Sequence, residues 1–138
     1  MRKTTIILAG AFALIVAAWV GIGAAYEMLT VSPFDMFLSA DPVVKLTMML
    51  SVLAGLIGIV CALAKQRRAA LILGLTAVGW GVLGALYNEL MTQSAVRAVG
   101  GVSFATTAPS RMETLDALGL GLGLGLIAMV IADLRKAR

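Results

Sequence analysis

The sequence predicts an all-α integral membrane protein with four transmembrane helices, a short outer interfacial helix, and N and C termini in the cytoplasm. Three observations predict this fold. Of the 138 residues, 61% are hydrophobic and 13% charged, and the mean hydropathy is +1.02, a balance that suits lipid as the main solvent. Four apolar runs are long enough to span a bilayer. Basic residues lie at the ends of those runs. We expect residues 1–138 to form a single membrane domain.

The four apolar runs define the spans, which we expect at about 5–27, 42–64, 69–91 and 114–134. Arg2 and Lys3 precede the first run. Because this run is longer than the apolar core of a signal peptide, we expect it to be retained as a span. Asp41 and Pro42 open the second span as N-cap and first helical residue. Only Lys65–Arg68 separates the second span from the third, which predicts a tight antiparallel hairpin with a basic tip.

The distribution of Lys and Arg predicts the orientation. Three of these residues lie on one side of the predicted spans: Lys45, Arg97 and Arg111. Eight lie on the other: Arg2, Lys3, Lys65, Arg67, Arg68, Arg135, Lys136 and Arg138. Since cytoplasmic connections carry the excess of positive charge, the side with eight is predicted to be the cytoplasm.

Both outer connections contain helix signals. Ser32–Asp35 fits a capping box and is expected to open an interfacial helix at about 33–40. After the third span, the helix is expected to continue as far as Val99 and to end at Gly100–Gly101. Ser110–Glu113 fits a second capping box, which would open the fourth span.

Glycines at every second position mark the fourth span. Gly119 with Gly123, and Gly121 with Gly125, form GxxxG pairs that occupy opposite faces of a helix. Two interpretations stay open: an inner helix in a ring of subunits, or a well-packed helix within a monomeric bundle. In the third span, Gly81 and Trp80 are expected at helix contacts, since a deep indole needs a protein-facing side or a partner.

Glu113 and Asp116 are the candidate ion-handling residues. The two carboxylates are three residues apart and share one helix face. An ionisable group within a span is costly and therefore indicates function. The alternatives are a helix cap for Glu113, and for Asp116 a position near the outer interface or an ion pair with Arg111 or Arg97.

Other polar residues of the spans have simpler expected roles. Thr47, Ser51 and Thr76 are expected to donate to the carbonyl four residues earlier in their own helix. Asp133 is expected to form a surface ion pair with its neighbours Arg135 and Lys136.

Composition also excludes several kinds of function. Cys61 is the only cysteine and histidine is absent, which leaves no disulfide framework, no thiol redox pair and no usual ligands for haem, zinc or copper. We therefore expect no enzyme, no cofactor and no metal. Despite a net charge of +4, we expect no nucleic-acid partner, because the charges lie at helix ends.

Three stretches resemble the MotA/TolQ/ExbB proton-channel family. DMFLSADPVVKLTMM at residues 35–49 is similar to the "AD-VVK-VM" entry to the first span of TolQ and ExbB proteins. VGWGV at residues 78–82 resembles the "T-V-W-G-I" of the family's second span. APSRMETL at residues 108–115 resembles the "APGIAEAL" that opens the third span. The three stretches contain 28 of the 138 residues.

The resemblance implies a homo-oligomeric ring in a bacterial inner membrane, with lipids and a single-span partner like ExbD or TolR. Such a ring would act as a proton or cation channel or an energy-transducing scaffold. Glu113 matches the glutamate of the family's third span. The chain lacks the family's large cytoplasmic domain, and Val78 and Leu118 stand where the family has pore threonines. Thr76 and Asp116, each two residues away, are the nearest substitutes, which makes Thr76 a third candidate for the ion pathway. These departures favour the alternative, a structural or accessory membrane subunit with no ion conduction.

Overall fold

A computed structural model describes residues 2–27 and 32–136, and all regular structure in those residues is α-helical. Four of its helices are long and apolar enough to cross a membrane, and each contains one of the four predicted apolar runs. The short helix expected at 33–40 is also present, whereas its position at a membrane surface stays a prediction. The helices are α1 (Arg2–Ala25), α2 (Pro33–Ser39), α3 (Pro42–Leu63), α4 (Arg67–Ala98) and α5 (Phe104–Lys136).

The bundle is organised around α5, which contacts each of the other helices. α3, α4 and α5 pack together, with α4 antiparallel to both α3 and α5. α1 packs principally against α5. At one end, called here the basic end, lie the α3–α4 turn and the last turn of α5. The opposite end, called the α2 end, contains α2, the start of α3 and the α4–α5 turn. There the rings of Tyr26 and Phe104, 5.5 Å apart, join the end of α1 to the start of α5.

Local capping explains where α2 and α3 begin. The Ser32 hydroxyl accepts a hydrogen bond from the Asp35 amide at 3.1 Å, with Pro33 as the first residue of α2. The Asp41 carboxylate accepts from the Val43 amide at 2.9 Å, with Pro42 first in α3. Both predicted caps are therefore confirmed, because each side chain satisfies an amide that the first helical turn leaves without a partner.

The two turns between long helices share one hydrogen-bond pattern. α4 ends as predicted at a glycine pair: Gly100 has φ +78° and the Gly101 amide donates to the Val96 carbonyl at 2.9 Å. α3 ends in the same way, except that the left-handed residue is Lys65, with φ +63°. The following Gln66 amide donates to the Cys61 carbonyl at 2.8 Å. Both are Schellman motifs, which normally place glycine in the left-handed position.

α5 begins ten residues before the predicted start of the fourth span, so the predicted capping box at Ser110–Glu113 is wrong. Ser110 lies in the interior of the helix, which begins at Phe104 and includes Pro109. Pro109 is the sixth residue of α5, beyond the four amides that lack helical partners, so the helix gives up one backbone hydrogen bond there. Ser110 has an interhelical role instead, since its backbone carbonyl accepts from the Asn88 side chain at 2.9 Å.

The two glycine faces of α5 pack against different helices of the same chain. A Cβ placed on Gly121 would lie 2.7 Å from the Ala77 carbonyl oxygen, and one on Gly125 would lie 2.5 Å from the Gly74 carbonyl oxygen, both in α4. A Cβ on Gly123 would lie 3.1 Å from the Phe12 ring of α1. The opposite-face prediction is thus confirmed. Within the described residues the faces match the bundle interpretation, because α4 and α1 cover them.

The remaining glycine and tryptophan predictions differ in outcome. Gly119 is in ordinary contact with α1, because a Cβ placed on it would lie 3.6 Å from Ile15 Cγ2. Gly81 is buried, and a Cβ there would lie 2.8 Å from the Ala117 carbonyl oxygen, so it is a helix contact as expected. Trp80, next to it, is only half-buried. The close approach of α4 and α5 therefore depends on Gly81 rather than on the indole.

Hydroxyl groups of the spans take three different roles. Thr76 donates to the Ile72 carbonyl four residues earlier at 2.8 Å, as predicted. Thr47 donates three residues back, to the Val44 carbonyl, at 2.8 Å. The prediction for Ser51 is wrong: its buried hydroxyl donates to the Ala77 carbonyl of α4 at 2.8 Å. Ser51 therefore joins two helices instead of returning to its own.

Candidate functional site

Asp116 lies at the junction of two apolar grooves at the α2 end. The first groove, between α1 and α5, is lined by Phe12, Ile15, Val16, Trp19, Pro33, Leu115, Gly119 and Leu120. The second, between α2, α3 and α5, is lined by Pro33, Phe34, Phe37, Met48, Met49, Val52, Leu53 and Leu120. Asp116 is the one charged side chain that lines either groove among the described residues. We call the two grooves together the Asp116 crevice.

Two buried polar atoms that lack a hydrogen-bond partner among the described residues lie near the Asp116 carboxylate. Asp116 is half-buried and forms no hydrogen bond or ion pair with any described residue. The Trp19 indole N–H, in the wall of the first groove, is buried and has no acceptor among the described residues. One carboxylate oxygen of Glu113, a turn away on α5, is likewise buried without a donor in the described part of the chain. Each such atom costs about 1–3 kcal/mol unless a ligand or water satisfies it.

The nearest basic side chains do not neutralise Asp116. Arg111 forms an ion pair with Glu89 of α4. Arg97 is exposed and forms no ion pair within the described part of the chain. The predicted alternative, in which one of them pairs with Asp116, is therefore wrong. Arg111 pairs with Glu89 because the early start of α5 brings it against the part of α4 that lies at the α2 end.

Glu113 has charged neighbours from α3. Its carboxylate lies close enough to Asp41 and Lys45 for their charges to act on it. Asp41 is also the N-cap of α3, so the start of that helix faces Glu113. The carboxylates of Glu113, Asp116 and Asp41 thus lie in one region of the α2 end, with Lys45 as a nearby cation. Such a group can exchange protons with water at the end of the bundle.

Thr76 is not brought to the carboxylates. It lies on the exposed face of α4, where its hydroxyl is bonded to its own helix. Ala117, next to Asp116, packs against Gly81 and Gly84 of α4, about one and a half to two helical turns beyond Thr76. Glu113 and Asp116 therefore lie together as predicted, whereas Thr76 lies apart from them.

From the Asp116 crevice toward the basic end, the side chains of α5 are apolar over a long stretch. Between Asp116 and Asp133 there is no polar side chain, a distance of about 25 Å along the helix. Asp133 forms an ion pair with Arg67 of α4 at 3.0 Å, so the expected surface ion pair is present. Arg135, a neighbour of Asp133 in sequence, donates instead to the Leu63 carbonyl at the end of α3. Arg67 is within reach because the start of α4 packs beside the end of α5.

A buried polar cluster between α4 and α5 was missed at the sequence level. The Asn88 side-chain amide donates to the Ser110 carbonyl and to the Thr114 hydroxyl, each at 2.9 Å. The Thr92 hydroxyl donates to the Asn88 carbonyl at 2.9 Å and also contacts the Ser110 hydroxyl. Asn88 with Thr92, and Ser110 with Thr114, are each four residues apart, and this spacing was the available signal.

Comparison with known proteins adds no relative, since no family model, no curated protein and no solved structure matches the chain. The MotA/TolQ/ExbB resemblance therefore depends on the three quoted stretches and stays a prediction.

Proposed function

We propose that this chain is an ExbB/TolQ-like subunit of a bacterial inner membrane that assembles as a homo-oligomer beside a single-span partner. In this proposal Asp116, with Glu113, takes up protons or cations at the outer side, and both termini are cytoplasmic. The observation that carries the proposal is the half-buried Asp116, which has no ionic partner among the described residues and lies at the junction of two apolar grooves.

Energetics support a functional role for this carboxylate. An ionised Asp at the centre of a span costs about 2.5–3.5 kcal/mol on insertion scales, and less near the interface. A structural carboxylate normally recovers such a cost through a basic partner, as Asp133 does with Arg67. Asp116 has no such compensation within the described chain. A proton, a cation, or a donor group from another molecule would supply it.

The order of the spans supports the orientation and the family. With the basic end in the cytoplasm, α3, α4 and α5 run inward, outward and inward, the order that the family uses for its three spans. α1 is then an additional span ahead of them. The quoted phrases fall at the start of α3, within α4 and near the start of α5, the same places that they hold in the family.

The alternative is a structural or accessory subunit without ion conduction. It is favoured by the apolar stretch of α5 below Asp116, which offers no polar side chain to continue an ion path. It is also favoured by the two glycine faces, which are already covered by α4 and α1. A conducting assembly would need polar groups or water from a neighbouring chain along that stretch.

Proton flux into vesicles tests the proposal. The full chain is reconstituted with a pH-sensitive dye inside, and flux is compared for the unchanged protein, Asp116→Asn and Glu113→Gln. Asp35→Asn is the matched control, because Asp35 is an exposed carboxylate at the same end that does not line the crevice. We expect Asp116→Asn to abolish most of the flux and Asp35→Asn to leave it unchanged. Flux that Asp116→Asn and Glu113→Gln both retain would remove these residues from the mechanism.

The mass of the purified assembly in mild detergent separates the two candidate functions. A discrete ring of several subunits that conducts protons supports the first. A discrete oligomer without measurable flux supports the accessory subunit, and a monomer contradicts the ring altogether.

A further inference from the structure

A small basic cavity lies at the basic end, far from the Asp116 crevice. Its walls come from the end of α3, the α3–α4 turn, the start of α4 and the end of α5. Its volume is about 220 Å³, much more than one water molecule needs. The lining residues are Ala62, Lys65, Arg67, Ala132 and Arg135.

The charges around this cavity do not balance. Arg67 donates from Nη2 to Asp133 at 3.0 Å, while its Nε is buried without an acceptor among the described residues. Arg135 donates to the Leu63 carbonyl oxygen, which is a neutral group. Lys65 forms no ion pair with any described residue. Three cations thus share one carboxylate, and the excess of two positive charges attracts an anion.

The backbone adds to the positive potential. α4 begins at Arg67, and Gln66 before it makes no side-chain cap, so the first amides of a 32-residue helix end here without a side-chain acceptor. The positive end of the helix dipole lies in this turn. Lys65 itself has φ +63°, a conformation that glycine adopts without steric cost and lysine does not. The turn therefore carries a strained residue whose side chain contributes to the cavity.

Apolar surface continues directly from the basic residues. Leu63 and Leu134, in the last turns of α3 and α5, are 50% and 63% exposed. Both helices are long and apolar enough to cross a membrane, and the cavity lies where they end. A ligand that fits here has an anionic head and apolar tails.

We propose that this cavity binds the phosphate group of an anionic phospholipid. The phosphate accepts from Lys65, Arg67 and Arg135, and the acyl chains follow the exposed faces of α3 and α5. Free inorganic phosphate offers the same anion without the tails, and the apolar surface beside the cavity favours the lipid. This inference does not depend on ion conduction at Asp116.

Lipid retention tests the site. The full chain, purified in mild detergent, is equilibrated with phosphatidylglycerol or phosphatidylcholine and washed, and the lipid that remains bound is counted per chain. We expect phosphatidylglycerol to be retained and phosphatidylcholine to be lost. Lys65→Asn with Arg135→Gln removes two cations and keeps a residue that tolerates the left-handed conformation. At about fivefold in affinity per charge, it should weaken retention about 25-fold.

Two control variants make the test specific. Arg68→Gln with Arg97→Gln removes the same charge from exposed residues that do not line the cavity, and should change retention by less than about threefold. Lys65→Arg with Arg135→Lys keeps the charge and should retain the lipid. Helical circular dichroism and elution volume establish that each variant is folded.

Two outcomes would overturn the proposal. Equal losses in the cavity pair and the control pair would mean a diffuse basic surface rather than a site. Displacement of the lipid by millimolar inorganic phosphate would mean that the cavity takes free phosphate from solution.

Discussion

Replacing Gly121 with alanine is the sharpest test of how α5 packs. A Cβ at this position would lie 2.7 Å from the Ala77 carbonyl oxygen and 2.9 Å from Gly81 Cα, whereas ordinary contact begins at 3.4 Å. The helices would have to separate by up to about 0.7 Å, the difference between 3.4 and 2.7 Å. Separation on that scale loses roughly a quarter to a half of the dispersion energy of each contact. Overpacking of this kind typically costs about 1–3 kcal/mol.

Gly119→Ala is the matched control, two residues away on the opposite face of α5. Its Cβ would meet Ile15 Cγ2 at 3.6 Å, which is ordinary contact. Both substitutions gain the same helix propensity, about 0.5–1 kcal/mol, because both replace a glycine inside one helix. The difference between the two variants therefore isolates the contact with α4. We expect Gly121→Ala to have the lower free energy of unfolding by about 1–3 kcal/mol.

Unfolding in detergent provides the assay. The purified chain is titrated with sodium dodecyl sulfate in a mild detergent, and the transition is followed by tryptophan fluorescence and helical circular dichroism. If the two variants unfold within about 0.5 kcal/mol of each other, the close approach of α4 and α5 is not present in the folded protein. The glycine faces would then have to be explained by contacts between chains.

The same assay checks two hydrogen-bond predictions. Ser51→Ala removes an interhelical hydrogen bond and should lower the free energy of unfolding by about 0.6–1.7 kcal/mol. Thr76→Ala removes an exposed hydrogen bond within α4 and should change the free energy of unfolding by less than about 0.5 kcal/mol. Equal effects of these two variants would contradict the buried bond at Ser51. Asn88→Ala leaves buried acceptors on α5 without their donor and should cost about 1–3 kcal/mol. An unchanged transition midpoint would mean that Asn88 is solvated in the folded chain.

The helices themselves were predictable from the sequence because their signals are local. Apolar runs of sufficient length identify the spans in lipid, and a cap such as Asp41 or a stop such as Gly100 acts within four or five residues. The start of α5 was not predictable in this way. Pro109 and Ser110 are typical of a helix start, whereas packing of Ser110 against Asn88 in α4 stabilises a helix that includes both.

Hydrogen bonds and ion pairs between different helices could not be inferred from the sequence around each residue. Ser51 has a carbonyl within reach in its own helix and another in α4, and only the close approach of the two backbones selects the second. Asp133 has basic neighbours in sequence, yet Arg67 is brought closer by the hairpin. The candidate site was predicted in part: Glu113 and Asp116 share a helix face as expected, whereas Trp19, which lines the groove beside Asp116, belongs to a helix with no polar pattern that would place it there.

The dependence of α1 on α5 sets an order for biogenesis. Three helices, α2, α3 and α4, separate α1 from its principal packing partner, so α1 is synthesised well before α5 is available. If the long helices cross a membrane, α1 enters the bilayer without its partner, and its internal backbone hydrogen bonds and largely apolar side chains make such an isolated helix compatible with lipid. We expect a chain stopped before residue 104 to contain α1 without the helix against which it principally packs.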